Sequence, residues 1–134
     1  TTELPDPQRV ILKGEIAALR RFYNAADLVV IPSRYGESFP NVIGESLLCG
    51  TRIVASDLGD CRELIGSYGA VVTPGDVEAL AREIAAELKR GMSVVDEEEE
   101  LKVRQQVAAD ARKRFSLTLA VEKFCTAYAE LLSS

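Results

Sequence analysis

Short apolar runs alternate along the chain with longer segments whose apolar positions recur at helical spacing. Four runs without polar interruption predict strands buried on both faces, at residues 10–12, 28–31, 53–55 and 70–72. Periodicity and start and stop signals predict helices over residues 15–26, 41–49, 61–65, 77–90, 96–114 and 116–132. Buried strands that alternate with helices predict an α/β fold, in which right-handed crossovers build a mostly parallel sheet. The pattern is that of half a doubly wound, Rossmann-like domain followed by C-terminal helices.

Several helix ends carry recognisable end signals. Gly50 and Gly91 are expected to end the helices that precede them, because glycine readily adopts the left-handed conformation. Asp76 and Ser116 are expected N-caps. The last helix has an apolar stripe, formed by Leu117, Val121, Phe124, Cys125, Tyr128, Leu131 and Leu132.

The amino-acid composition and the net charge exclude several classes of protein. The 134 residues are 47% hydrophobic and 28% charged, which is typical of one globular domain and excludes a disordered chain. The net charge of −5 equals the charge of the acidic run 96–100 alone. No basic stripe is left to attract a nucleic acid, so we expect no nucleic-acid partner. The acidic run itself is expected at a helix N-terminus, where it favours the helix dipole.

Two further residue types limit the chemistry. The chain has no histidine, so it offers neither a histidine general base nor a histidine metal ligand. Its three cysteines, Cys49, Cys61 and Cys125, show no CxxC spacing, and we expect small buried residues in a reducing compartment. The longest apolar run is far too short to cross a bilayer.

The segment after strand 28–31 holds the candidate chemistry, because ligands of open α/β sheets bind beyond the carboxyl ends of the strands. If Pro40 takes the first helical position, the next amides stay free and form an anion site. Glu45 lies one turn beyond Asn41 on the same helix face, and Glu37 lies in the preceding loop. This order suits a ligand built as sugar, diphosphate and ribose. The spacing alone leaves open that both glutamates are solvated surface residues.

Several motifs in this order resemble the C-terminal, donor-binding domain of GT-B glycosyltransferases. They read YNAADLVVIPS at 23–33, ESFPNVIGE at 37–45, GTRIVASD at 50–57 and GAVVTPGD at 69–76. The resemblance is to the retaining family four, the group 1 glycosyl transferases, whose signature is two glutamates separated by seven residues. One departure is that Gly59 is followed by Asp60, where the family often has a second glycine. This puts in doubt any close backbone approach at that point.

The resemblance implies a role for each matched position. Glu45 would bind the ribose hydroxyls, and Glu37, the catalytic candidate, would contact the transferred sugar rather than act as a covalent nucleophile. The backbone around Ser38 and Phe39 would also contact the sugar. The amides of Asn41, Val42 and Ile43 would bind the diphosphate. Ser33 and Arg34 would lie near the base and sugar. The donor would be a nucleotide diphosphate sugar, and neither a cofactor nor a metal is implied.

The resemblance also implies that the domain's first two strand–helix units and the acceptor-binding domain are not in this chain. We therefore expect one N-terminally truncated donor-binding domain over residues 1–134, with strand–helix units over 10–90 and a helical part over 93–132. Alone, it should be inactive, because an acceptor sugar or lipid-linked glycan would contact the other domain. The full-length protein would be cytoplasmic or peripheral at the inner membrane. Strand 10–12, without its neighbours, would slide beside 28–31, exchange between chains or pair between molecules.

Three other classes of protein were weighed against a glycosyltransferase: an epimerase, a binding module and a hydrolase. A nucleotide-sugar epimerase of the same architecture is disfavoured by the paired glutamates, and a non-catalytic nucleotide-sugar-binding module stays open. A glycoside hydrolase fits less well, because nothing builds a sugar cleft around two facing carboxyl groups. The nucleotide base, the sugar and the acceptor are not identified by the sequence.

Overall fold

The computed structural model describes residues 9–36, 40–92 and 96–133 of the chain. Helices alternate with strands through the first two thirds of these residues, and helices alone follow. The helices are α1 (Leu19–Ala25), α2 (Asn41–Leu48), α3 (Cys61–Ile65), α4 (Val77–Met92), α5 (Glu97–Arg114) and α6 (Leu117–Leu132). The strands are β1 (Val29–Ile31), β2 (Ile53–Ser56) and β3 (Gly69–Val72).

The three strands form a parallel sheet in the order β1-β2-β3. Ile53 of β2 is in register with Val29 on one side and with Gly69 on the other. Helix α2 connects β1 to β2, and α3 connects β2 to β3, as parallel strands require. The predicted α/β class with a parallel sheet and C-terminal helices is confirmed.

The main core lies on one face of the sheet. Ile53 and Ala55 of β2 point to this face and pack among apolar side chains of α2, α3 and α5. The fully buried members contributed by α2 and α5 include Ile43, Leu47 and Val107. Because side chains alternate along a strand, Val54 and Ser56 point to the opposite face, which α4 covers. Central strand β2 is therefore buried on both faces, as its uninterrupted apolar run predicts.

Helix α4 is fixed to the start of β2 by a buried carboxylate. Glu87 is nearly inaccessible, and its two oxygens accept hydrogen bonds of 2.6 Å from Arg52 Nε and from an Arg90 guanidinium nitrogen. A buried charge with both oxygens paired is the arrangement that offsets the cost of desolvation.

The predicted helix ends are mostly confirmed. The Ala79 amide donates to Asp76 Oδ1 at 2.8 Å, and the Leu119 amide donates to Ser116 Oγ at 3.2 Å. The acidic run opens α5, where Asp96 accepts from the Glu98 amide. Gly50 has a φ of 79° directly after the α2 cap. The prediction for Gly91 is wrong, because α4 runs through it to Met92.

The prediction that residues 10–12 form the first strand is also wrong. Residues 10–12 form no strand, and their side chains are exposed, Leu12 by 92%. Among the described residues no strand lies beside this segment, so its backbone groups face water instead of a ladder. The suggestion that it slides beside 28–31 is wrong for the same reason.

Helix α6 forms as predicted, but its apolar stripe does not enter a core. None of its residues is buried, and Phe124, Tyr128 and Leu131 are all well exposed.

The expectation that the cysteines are buried holds for Cys61 alone, since Cys49 is half-buried and Cys125 is exposed on α6. Across the described ranges, no helix is long and apolar enough to cross a bilayer.

Candidate functional site

The candidate site begins where β1 ends at Ile31. Pro40 is the N-cap of α2 rather than its first residue, with extended backbone angles. The Ile43 amide donates to the Pro40 carbonyl at 3.0 Å, so the prediction of a free amide is wrong for Ile43. The amides of Asn41 and Val42 have no acceptor in the described part of the chain. The helix N-terminus therefore offers two free donors.

Three of the predicted site residues, Glu37, Ser38 and Phe39, lie outside the described residues. The structure places the segments on either side of them: Ser33 is half-buried and Arg34 is exposed directly after β1, and Asn41 is exposed at the start of α2. The Glu37 prediction stays a prediction.

Glu45 has a partner that the sequence did not suggest. The Tyr23 hydroxyl on α1 donates to Glu45 Oε2 at 2.9 Å. The second carboxylate oxygen, Oε1, has no partner among the residues described. Glu45 is exposed, so its carboxylate is held at one oxygen and open to a ligand at the other.

Tyr23 is well placed to hold this carboxylate because it is itself fixed. Its side chain is buried, and its backbone carbonyl accepts a 2.6 Å hydrogen bond from Thr51 Oγ1. Burial, together with the hydrogen bond to Glu45, raises the pKa of Tyr23 from the ordinary value of 10.0 to about 12. Burial also raises the pKa of the nearby Cys49 thiol, and the Glu45 charge adds to the rise. Both groups are held in their protonated, uncharged forms beside the carboxylate.

The helical spacing of apolar residues Ile16, Leu19, Phe22 and Tyr23 fits an apolar helix face and gives no sign that Tyr23 contacts Glu45. A buried tyrosine generally needs a partner for its hydroxyl, so the residue type alone signals that some acceptor lies nearby. Which acceptor it finds depends on how α1 packs against α2, and helical spacing does not contain that information.

A small cavity of about 150 Å³ lies at the carboxyl ends of all three strands. Arg34 follows β1, Ser56 ends β2 and Thr73 follows β3, and all three line the cavity together with the first turn of α4. Of these residues, the sequence pointed only to Arg34 as a ligand contact. Ser56 directly follows the apolar run 53–55 and gives no separate signal.

Comparison with known proteins bears on the family and the fold. A family model described as "Glycosyl transferases group 1" matches residues 2–90. The crystal structure of Anabaena Alr3699/HepE in complex with UDP superposes with a TM-score of 0.64 at 26% identity, over 86% of this chain and 30% of that one. The fold is therefore that of part of a GT-B glycosyltransferase, as the motifs predicted. The chain belongs to the group 1 glycosyl transferases.

Curated relatives carry related activities. Over 79 residues the chain is 40% identical to the lipopolysaccharide core biosynthesis mannosyltransferase LpcC of Rhizobium leguminosarum bv. viciae, covering 58% of this chain and 22% of the relative. Over 124 residues it is 32% identical to the phosphatidyl-myo-inositol mannosyltransferase of Mycobacterium leprae (strain TN), covering 90% of this chain and 30% of the relative. The chain thus spans less than a third of the length of these relatives.

Proposed function

We propose that this chain is the donor-binding part of an enzyme that moves a sugar from a nucleotide diphosphate sugar to an acceptor hydroxyl with retention of configuration. The observation that carries the proposal is the Glu45 carboxylate, which Tyr23 holds at one oxygen on the helix whose first two amides are free. The family match and the UDP bound to the structural neighbour support the nucleotide part of the ligand.

The proposed roles follow from the chemistry of each group. Glu45 Oε1 accepts hydrogen bonds from the ribose hydroxyls, since a carboxylate is a strong acceptor for a diol. The amides of Asn41 and Val42 bind the diphosphate at the positive end of the helix dipole, without a metal ion. Glu37 contacts the transferred sugar, with Ser38 and Phe39 beside it, and Ser33 and Arg34 lie near the base and sugar.

We further propose that this chain alone transfers no sugar, because the acceptor would bind to a part of the longer protein outside it. Release of UDP from UDP-sugars mixed with the chain and a panel of sugar acceptors tests this point. Turnover above the rate of spontaneous hydrolysis would contradict it.

Titration of UDP into the isotope-labelled chain, followed by NMR, tests the proposed role of Glu45. We expect the Asn41 and Val42 amide signals to shift, and Glu45→Gln to weaken binding about tenfold, because one charge-assisted hydrogen bond contributes roughly 1.5 kcal/mol or more. Glu122→Gln, on the exposed helix α6, is the matched control and should leave the affinity unchanged. Equal affinities for the two variants would count against the proposed ribose contact.

A further inference from the structure

Helix α1 has one buried side chain, which is that of Tyr23. Among its seven residues, all of which the structure describes, only Tyr23 is buried. The apolar side chains of Leu19 and Phe22 are 43% and 45% exposed. A helix this short is not stable alone, and apolar burial contributes little here. The hydrogen bonds at Tyr23 therefore contribute strongly to the position of α1.

Hydrogen bonds connect Tyr23 to α2 by two routes. Directly, the Tyr23 hydroxyl donates to Glu45 Oε2 at 2.9 Å. Indirectly, Thr51 Oγ1 donates to the Tyr23 carbonyl at 2.6 Å, and Ser46 Oγ on α2 donates to the Thr51 carbonyl at 3.2 Å. The Thr51 amide also donates to the Ser46 carbonyl at 3.0 Å. Ser46, Thr51 and Tyr23, here called the positioning chain, thus lead from α2 back to Glu45, the neighbour of Ser46.

The positioning chain is shielded from water. Ser46 and Thr51 are 0% and 1% exposed, and Tyr23 is 8% exposed. Hydrogen bonds in such surroundings are electrostatically stronger than in water, and breaking them is costly. The Tyr23 hydroxyl is therefore held at a fixed place relative to α2, whereas Glu45, the residue that it binds, is exposed.

This fixed donor limits the motion of Glu45. An exposed glutamate side chain samples several rotamers, and a ligand that binds through it must overcome the free energy of ordering it. The bond from Tyr23 orders Glu45 before any ligand arrives and leaves Oε1 open, with no donor to it in the described part of the chain. Oε1 is a negatively charged acceptor, so it attracts hydroxyl donors and repels phosphate oxygens. The positioning chain therefore acts on the hydroxyl-bearing part of a ligand.

We propose that Tyr23 and Thr51 are positioning residues, which hold Glu45 so that the site selects nucleotides with ribose hydroxyls over nucleotides without them. The inference rests on the proposed function, because it takes the Glu45 carboxylate as the ribose contact. A nucleotide without these hydroxyls leaves the ordered carboxylate unpaired, and this penalty is the source of the selectivity. When Tyr23 or Thr51 loses its hydroxyl, Glu45 moves more freely and the penalty shrinks.

NMR titrations of the isotope-labelled chain with UDP and with dideoxy-UDP, which lacks both ribose hydroxyls, test the inference. The ratio of the two dissociation constants measures the ribose selectivity, which we expect to be about tenfold in the unaltered chain. Tyr23→Phe should weaken UDP binding about three- to tenfold and leave dideoxy-UDP binding unchanged, so the ratio falls toward one. Thr51→Val should lower the ratio in the same direction and gives a second test if Tyr23→Phe folds poorly.

A double variant shows whether Tyr23 acts through Glu45. Glu45→Gln should remove most of the ribose selectivity by itself. Adding Tyr23→Phe to it should change the ratio no further, because residues that act through one contact are not additive. A further fall in the ratio would show that Tyr23 acts on the ligand independently of Glu45, which contradicts the inference.

Two matched variants serve as controls. Tyr68→Phe removes a tyrosine hydroxyl that donates to the Asp110 carboxylate, which is the same kind of hydrogen bond at another place. Thr126→Val removes a threonine hydroxyl that donates to the Glu122 carbonyl at 2.9 Å on α6. Both variants should keep the selectivity ratio of the unaltered chain.

The outcomes distinguish this inference from the proposed function. If Glu45→Gln removes the selectivity while Tyr23→Phe and Thr51→Val keep it, the inference is overturned and the proposed ribose contact stands. If Tyr23→Phe weakens the binding of both nucleotides equally, its role is structural and the inference is overturned. If the unaltered chain binds the two nucleotides equally, the inference and the ribose contact of the proposed function are both overturned.

Discussion

At the scale of single residues, the contact between Tyr23 and Glu45 determines how the candidate site is presented. The phenol donates to one carboxylate oxygen and leaves the other available. The place of Glu45 on α2 was predictable, because the helix follows from the sequence. Tyr23 was not, because its helical spacing describes an apolar face equally well and its acceptor depends on tertiary packing.

The same contact makes stability depend on pH. The folded pKa of Tyr23 is raised from 10.0 to about 12, so the protonated phenol stabilises the fold. This contribution is fully present below pH 10 and is lost as the pH rises through 12. Tyr23→Phe should lower the free energy of unfolding at pH 8 by about 1.5 to 3 kcal/mol, the range for one hydrogen bond to a charged group. The gap to the unaltered chain should narrow between pH 10 and 12, because only the phenol loses its proton there.

Urea denaturation at pH 8, 10 and 11 measures this gap. Tyr128→Phe, on the exposed surface of α6, is the matched control and should cost almost nothing at any pH. A Tyr23→Phe penalty that stays constant from pH 8 to 11 would show that packing, and not the protonated hydrogen bond, is responsible.

At the scale of secondary-structure elements, α5 holds the other helices in place. The Arg104 guanidinium donates to the Asn24 and Ala26 carbonyls at 3.3 and 3.0 Å, where α1 ends. Arg114 donates to the Glu63 and Leu64 carbonyls at 2.6 and 2.9 Å, where α3 ends. Such contacts satisfy carbonyls that a helix end leaves without partners. Helix α5 therefore positions α1, which carries Tyr23, relative to α2.

The approach of α5 depends on Gly50, the residue that follows the α2 cap. A Cβ atom at this position would lie 2.5 Å from the Arg104 carbonyl oxygen, and the φ of 79° is unfavourable for other residues. Gly50→Ala should destabilise the fold by about 2 to 4 kcal/mol, since strain in the backbone and overpacking add together.

Gly75→Ala separates these two contributions. Gly75 has a φ of 85°, but a Cβ there would meet nothing within 4 Å, so the variant pays for the conformation alone, at about 1 to 2 kcal/mol. Chemical denaturation of both variants gives the difference. If Gly50→Ala costs no more than Gly75→Ala, the close approach of α5 contributes nothing to stability.

The secondary-structure elements that could be predicted are those whose sequence signals lie within the element or directly beside it. Helix α5 follows from acids at its start and bases at its end, and Asp76 and Ser116 cap helices because capping needs only neighbouring residues. Residues 10–12 carry a strand pattern as strong as that of β3, yet a strand exists only beside a partner. The apolar stripe of α6 likewise predicts that a helix forms, but it does not predict which part of the molecule packs against that stripe.

At the scale of the whole molecule, strand β2, helix α5 and helix α6 differ in how much of their side-chain surface is buried. Strand β2 is buried at every position, α5 buries Val107, Ala108 and Ala111, and α6 buries nothing. Local opening requires little free energy where few apolar contacts are broken. The order of stability should therefore be β2 first, α5 next and α6 last.

Amide hydrogen exchange at neutral pH measures this order directly. Helices α5 and α6 have 18 and 16 residues, so they differ little in length and mainly in packing. An unsupported helix of this length is marginal in water, so the amides of α6 should exchange within about tenfold of an unfolded chain. Those of α5 and β2 should be slower by several further orders of magnitude, because they open only when the core does. Equal protection of α5 and α6 would mean that α6 is packed in solution, and that its exposed stripe does not describe the folded chain.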